Sequence, residues 1–307
     1  MINKKIYLIA GIGIAVISAV FFMLTNPTLL VYGVQRAGIY AAIALPMALV
    51  LGIVHIVNLA HGEMMMVAAY LSYFISRTFD LDPLLAAIPT GIIMFFLGIF
   101  IFKTTIYHTL KAPELNQLIL TFGVAMVLSQ TINLMATSQP RKISLDYVSA
   151  SASIGEVSFG IYDFIFPALA IIFLIILMYF LKKTRIGKAA TAVGQNPRGA
   201  LIVGINVDLT YTVIFAVASA LIGIFGSVFI TKFSIFPAVG GAYTMKSFAL
   251  VAMAGIGNLP KIITASLILG IAESFVMSIP GGAGWTPMIF FGLIIFVILS
   301  RSFRSKH

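Results

Sequence analysis

Few residues of this 307-residue chain could do chemistry, and their spacing narrows what that chemistry is. Cysteine is absent, which removes disulfides, thiolate metal sites and cysteine nucleophiles. The four histidines, His55, His61, His108 and His307, stand too far apart to form a metal motif, and the lone His-x-Glu at His61–Glu63 lacks further ligands. No GxxxxGK[ST] run occurs, so the chain has no phosphate-cradling loop of that type. No catalytic constellation remains. What does remain is polar residues set among apolar ones. Asn58, His61, Gly62 and Glu63 separate two apolar runs in GIVHIVNLAHGEMMMVAAY (52–70), which reads either as a cytoplasmic turn capped by Asn58 and His61 or as a hinge or gate. Glu273 lies inside another run. A carboxylate there faces the bundle interior, as a structural group hydrogen-bonded between helices or as a proton or substrate site.

Small and polar side chains also recur at four-residue spacing, which puts each set on one helix face. The sets are Thr121, Ala125, Ser129, Asn133 and Thr137; Ser266, Gly270, Ser274 and Ser278; Ser219, Gly223 and Ser227; and Ala68, Ser72 and Ser76. Such stripes either let helices pack closely or line a path with neutral groups. Packing is the reading for the third and fourth sets. For the first, Gln130 beside Asn133 argues for a cavity, because two amides facing lipid are costly.

The elements that must hold these residues follow from composition. Hydrophobic residues make up 61% of the chain and charged residues only 9%. Mean hydropathy is +1.10. Soluble domains run at about 45–50% apolar and about 25% charged. That excludes a soluble enzyme, a nucleic-acid-binding protein and a disordered chain. The expected fold is an all-α polytopic membrane protein forming a single domain over residues 1–307. Continuous apolar runs, rather than alternating ones, exclude a barrel. About ten spans are expected: Ile6–Leu24, Val34–Val54, Gly62–Ser76, Leu84–Phe102, Leu118–Ala136, Asp163–Leu181, Leu209–Ile230, Tyr243–Gly257, Lys261–Ile279 and Thr286–Ser300. The first reads as a retained span rather than a signal peptide, since it is long and no A-x-A site follows.

Charge orients the bundle. With both termini in the cytoplasm, the outer side receives Arg36, Arg77, Arg141, Lys142, Lys232 and Lys246, and the rest of the 19 Lys and Arg fall inside. Lys246 reads as a residue that snorkels outward, with no role of its own. Two loops are long. Residues 137–162 form an external, Ser-rich loop that could cap the bundle towards an extracellular partner. Residues 182–208 form a basic internal loop with its own helix-like stretch, Gly187–Gly194, before Gln195, Asn196 and Pro197.

Four blocks, in order, carry a family resemblance. GIYAAIALPMALVLGIVHIVNLAHGEMMMVAAY (38–70), LTFGVAMVLSQ (120–130), TRIGKAATAVGQNPRGALIVGINVD (184–208) and AGIGNLPKIITASLILGIAE (254–273) together resemble the permease subunits of branched-chain amino-acid ABC importers. Pro46, Thr191, Arg198 and Pro260-Lys261 depart from the residues common there, and the changes at 191 and 198 reverse local charge in the loop. The resemblance implies a type II-like ABC importer permease in a prokaryotic inner membrane. Its partners would be a second homologous permease, two cytoplasmic ATPases that bind ATP and Mg²⁺, and an external solute-binding protein. Gly187, Lys188, Gly194, Gln195, Asn196, Pro197, Arg198 and Gly204 would then belong to the loop that couples to an ATPase. Asn58, His61, Gly62, Glu63, Thr121, Gln130, Asn133 and Glu273 are the gate or pathway residues. The chain itself would bind no cofactor, metal or nucleic acid. Its cargo would be Leu, Ile or Val, with urea or a short amide as the alternative. An ion- or proton-coupled transporter using Glu273 and His61 is the competing class.

Overall fold

A computed structural model describes residues 26–110, 112–155, 157–288, 290–292 and 295. The expected first span and most of the tenth lie outside them. The eight spans between fall on helices: α1 (Pro27–Ile53), α2 (His61–Phe79), α3 (Pro83–Ile101), α4 (Glu114–Ala136), α5 (Ile165–Lys183), α8 (Val207–Lys232), α9 (Gly240–Ala254) and α10 (Leu259–Met277). Two shorter helices, α6 (Arg185–Gln195) and α7 (Pro197–Ile202), occupy the loop between α5 and α8. Among the described residues, 6 helices are long and apolar enough to cross a membrane, and α2 and α9 are not among them. The chain is thus an all-α, multi-pass membrane protein.

α1 is the central helix. Proline opens it at a position where the missing N–H costs nothing. Its residues are apolar nearly all round, so it is buried from Gly33 to Ile53 against α5, α8, α9 and α10. Small residues set the closest crossings. A Cβ on Gly270 of α10 would stand 2.6 Å from the Ala37 nitrogen, and one on Gly223 of α8 would stand 2.9 Å from the Gly91 Cα of α3. The stripes Ser219–Gly223–Ser227 and Ala68–Ser72–Ser76 are buried in helix contacts of this kind, where small side chains let backbones approach.

α3 runs on through a π-helical turn, Phe102–Ile106, to Thr109. There the Thr104 and Thr105 hydroxyls donate to the carbonyls of Phe100 and Ile101, at 2.7 and 2.5 Å. This continuation carries the helix seven residues past the boundary expected at Phe102. The loop 137–162 holds a small antiparallel hairpin, β1 (Ser151–Ile154) and β2 (Val157–Gly160), fixed to the bundle where Gln35 Nε2 donates to the Gly160 carbonyl at 3.0 Å. The hairpin marks one end of the bundle and α6 the other.

Two helices start in the middle rather than at an end. α1 finishes at Ile53 on the α6 side, yet the His61 ring, at the start of α2, bonds the carbonyl of Ile43 at 2.8 Å. Ten residues of helix separate Ile43 from Ile53, about 15 Å at the helical rise. Residues 54–60 therefore climb back along α1 as irregular chain before α2 begins. From the hairpin side, residues 233–239 leave α8 and descend to Gly240, the start of α9. The N-termini of α2 and α9 meet there, and the two helices diverge to opposite ends. Irregular backbone at that depth is tolerated where it is buried in protein, and both segments alternate: Ile56, Asn58, Ile235 and Pro237 are buried, His55 and Phe236 exposed.

Candidate functional site

The junction of α2 and α9 is built from Gly62 and Gly240. Gly62 N donates to Thr244 Oγ1 at 2.8 Å, and Thr244 also approaches the Leu59 carbonyl. A Cβ on Gly62 would collide with the Gly240 carbonyl oxygen, so the two backbones touch without an intervening side chain. Glu63 lies against Gly240 and Gly241, placing its carboxylate at both helix N-termini, where the aligned peptide dipoles favour negative charge. Its Oε2 is buried and has no hydrogen-bond partner among the described residues. Asn58 is buried too. Its Oδ1 accepts from Ala60 N at 3.0 Å, which closes the turn that leads into α2. Neither Asn58 nor His61 caps a helix end: Ala60 is the N-cap of α2, and the His61 ring instead ties that end to the mid-point of α1. Thr121 of α4 joins the same layer by donating to the Val57 carbonyl at 3.2 Å.

Towards the hairpin end, α1, α9 and α10 surround a cavity of about 560 Å³. Glu273 sits at its wall with a side chain only 7% exposed. Three groups converge on that carboxylate. Arg36 Nη1 donates to Oε1 at 3.1 Å, the Tyr40 hydroxyl donates to Oε2, and Lys246 Nζ lies 3.7 Å from Oε1. Lys246 also donates to the Tyr40 hydroxyl at 2.7 Å and lies over its ring. Lys246 therefore turns into the bundle rather than snorkelling outward, because a buried carboxylate and a phenol offer it more than the interface does. On another wall of the cavity Lys232 pairs with Asp163 at 2.7 Å.

Of the pathway stripe on α4, Thr121 and Ala125 face the bundle. Gln130 does not: it is exposed on the outer face of α4, and half-buried Asn133 donates to it at 3.5 Å. α4 packs within this chain through Thr121, Ala125, Ile132 and Ala136, which fixes Gln130 on the opposite side. Ser129 donates to the Pro237 carbonyl at 2.7 Å, pinning the descending loop.

At the other end, α6 starts at Thr184, whose Oγ1 accepts from Gly187 N at 2.9 Å, and buries Gly187, Ala190 and Val193. Gly194 lies against α1 so closely that a Cβ there would stand 3.2 Å from the Gly52 carbonyl oxygen. The chain then turns at Asn196, whose Oδ1 accepts from Gly199 N at 2.9 Å, with Pro197 at the first position of α7. Lys188, Gln195, Asn196 and Arg198 are exposed, and Gly204 closes the segment in the left-handed region with φ +81°. Between Asn196 and Gly204 three apolar residues project: Leu201, Ile202 (86% exposed) and Val203 (74% exposed).

The sequence family described as "Branched-chain amino acid transport system / permease component" matches residues 29–299. The chain belongs to that family. Among its relatives are the high-affinity branched-chain amino acid transport system permease protein BraD of Pseudomonas aeruginosa, 26% identical over 286 residues (89% of this chain, 92% of BraD). LivH of Salmonella typhimurium is 26% identical over 280 residues (87% and 91%). A probable LivH of Methanocaldococcus jannaschii is 24% identical over 277 (86% and 87%). No solved structure matches the chain significantly. The matched stretch contains the α2–α9 junction, the charged cavity and the α6–α7 segment. A family of transport permeases has no reacting atoms to place, and among the described residues no group of three or more His, Cys, Asp or Glu is arranged for a metal ion.

Sequence reasoning singled out Glu273 but missed its partners. Arg36 and Tyr40 were recoverable, since they stand four apart at the start of an apolar run and so share the face that α10 covers. The projecting Leu201-Ile202-Val203 was recoverable as well, as three apolar residues in a row within a basic loop.

Proposed function

We propose that this chain is one half of the translocation pore of an ATP-driven importer of branched-chain amino acids in a prokaryotic inner membrane. It crosses the membrane ten times with both termini in the cytoplasm. A second homologous permease completes the pore and covers the outer face of α4, which supplies Gln130 and Asn133 with a polar surface in place of lipid. Two cytoplasmic ATPases bind ATP and Mg²⁺, and a solute-binding protein delivers cargo at the hairpin end. Among the cargoes such permeases could carry, Leu, Ile and Val suit the family to which this chain belongs better than urea or a short amide.

The observation that carries this reading is the α6–α7 segment. It is seated on the bundle through Gly187 against α5 and Gly194 against α1, while its exposed tip offers Leu201, Ile202 and Val203 on a segment that also exposes Lys188 and Arg198. An exposed apolar knob on a rigid mount suits a contact that must transmit force to another protein. Closure of the ATPases on ATP moves this lever and tilts α1, which alternates access across the α2–α9 junction. An ion-coupled mechanism is less well served, because the Glu273 carboxylate is already engaged by Arg36, Tyr40 and Lys246, and the His61 ring by the Ile43 carbonyl.

The test is ATP-driven uptake of L-leucine by the complete complex in proteoliposomes. Asn196→Ala and Arg198→Glu should assemble normally and lose most of the uptake. Full uptake by both variants refutes the lever. Uptake by energised vesicles lacking the ATPases refutes the ATP-driven class.

A further inference from the structure

The cavity at the hairpin end has more positive than negative charge on its walls. Lys232 and Asp163 neutralise each other at 2.7 Å. Arg36 and Lys246 share the one remaining carboxylate, Glu273, which leaves a surplus cation facing a half-enclosed space of about 560 Å³. Arg36 spends a single donor, Nη1, on Glu273, and among the described residues its Nη2 and Nε have no hydrogen-bond partner. Glu273 carries one negative charge for two cations, so pairing with both leaves one positive charge uncompensated. A guanidinium fixed on one side by a buried carboxylate presents its other edge as a preformed fork for a planar anion. Leu29, Ile39, Phe166, Phe233 and Met277 give the same cavity its apolar wall, alongside the polar Gln35 and Ser274. The volume lies in the range of small-molecule sites, in which apolar walls supply contact and a few polar groups set orientation.

We propose that this cavity, within a single permease chain, is a binding site for a small apolar amino acid, whose carboxylate is held by Arg36 and Lys246 and whose side chain lies on Ile39 and Phe166. The site deepens the amino-acid permease reading and rests on it. It gives the permease its own recognition of the carboxylate in addition to that of the solute-binding protein. Glu273 and Tyr40 act here as positioning residues that hold the two cations in place. α9 makes the site part of the gate: Tyr243 and Lys246 border the cavity, while Gly240 and Thr244, on the same two turns, form the junction with α2. Occupancy therefore bears on the very helix whose N-terminus must move if the junction opens.

The experiment measures binding of radiolabelled L-leucine to the full-length chain in phosphatidylcholine nanodiscs, where no anionic lipid competes. On the unaltered protein, 4-methylpentanoate, which keeps the carboxylate and lacks the amine, should displace leucine. 3-Methylbutylamine, which lacks the carboxylate, should not. Arg36→Gln should weaken leucine and 4-methylpentanoate at least tenfold, and Arg36→Lys should restore part of the loss. Equal competition by the amine and the acid overturns the proposal. So does absence of leucine binding by a chain whose complex still imports leucine, a result that leaves the permease reading standing. If Arg36→Gln weakens docking of the solute-binding protein and leaves leucine binding unchanged, the cation serves an acidic protein surface and the proposal falls. Failure of the complex to import any amino acid refutes the permease reading instead, whatever the cavity binds.

Discussion

Replacing Gly62 by alanine tests the feature on which the architecture turns, the meeting of two helix N-termini inside the bundle. The added Cβ would collide with the Gly240 carbonyl oxygen and stand 2.6 Å from Thr244 Oγ1, where ordinary contact begins at 3.4 Å. Neither obstacle is the free end of a flexible side chain, since both belong to the first turns of α9. The helices must part by about 1 Å, and overpacking of this kind costs about 1–3 kcal/mol. Parting them also lengthens the Gly62 N–H···Oγ1 bond of 2.8 Å, a loss of about 1 kcal/mol. The total, about 2–4 kcal/mol, corresponds to a fall in Tm of about 3–6 °C for a chain of this size. The assay is thermal challenge of the detergent-purified protein followed by size-exclusion chromatography. Gly123→Ala is the control, because a Cβ there meets nothing within 4 Å, and a helical Gly→Ala change is neutral or stabilising. If Gly62→Ala and Gly123→Ala melt together, α2 and α9 do not abut as described, and the gate built on their junction is wrong.

Other perturbations address other parts of the molecule. Glu273→Gln strips the shared counter-ion from Arg36 and Lys246. Because both cations are about a third exposed or less, the loss should be about 1–3 kcal/mol, below that for breaking a fully buried pair. Adding Lys246→Met to that variant should recover part of it in a double-mutant cycle, and simple additivity would refute the coupling. Outside the membrane, the Tyr147 hydroxyl donates to Asp82 Oδ2 at 2.6 Å, and burial, together with that carboxylate, pushes its pKa above the ordinary phenol value. A raised folded-state pKa makes its contribution fully present below about pH 10, the unfolded value, and diminishing as pH rises towards the folded one. The Tm advantage of the unaltered protein over Tyr147→Phe should therefore shrink between pH 9 and pH 11 in parallel scans, and a constant difference would exclude the linkage.

Hydropathy made the helices legible because it reports how much apolar chain is available, and eight described helices fall where apolar runs stand. It does not report depth. α2 and α9 read as ordinary if short spans, and nothing in their composition says that each begins in the interior. That position comes from contacts distant in sequence: His61 with Ile43, Gly62 with Gly240 and Thr244. The stripes were legible as faces but not as destinations. Four-residue spacing lines up Thr121, Ala125, Ser129 and Asn133, but Gln130, nine residues from Thr121, stands half a turn away from that face, and α4 leaves it outside. Charge gave these residues a side but not a direction. Lys246 reads as snorkelling outward, whereas it and Arg36 turn into the bundle towards Glu273, which follows Arg36 by 237 residues.

α1 connects all three regions in one helix, and a span list cannot express this. Arg36 and Tyr40 on its third and fourth turns hold Glu273 beside the cavity; the Ile43 carbonyl holds His61 at the junction; and Gly52 near its end lies against Gly194 of α6. The contact at Gly52 is close, and Pro46, inside α1 between Ile43 and Gly52, removes a backbone bond at the point where the helix bends most readily. Displacing α6 therefore requires that this contact break, that α1 bend at Pro46, or that α1 move as a body. In the last case the cation cluster and the α2–α9 junction must shift together, because the same helix carries both.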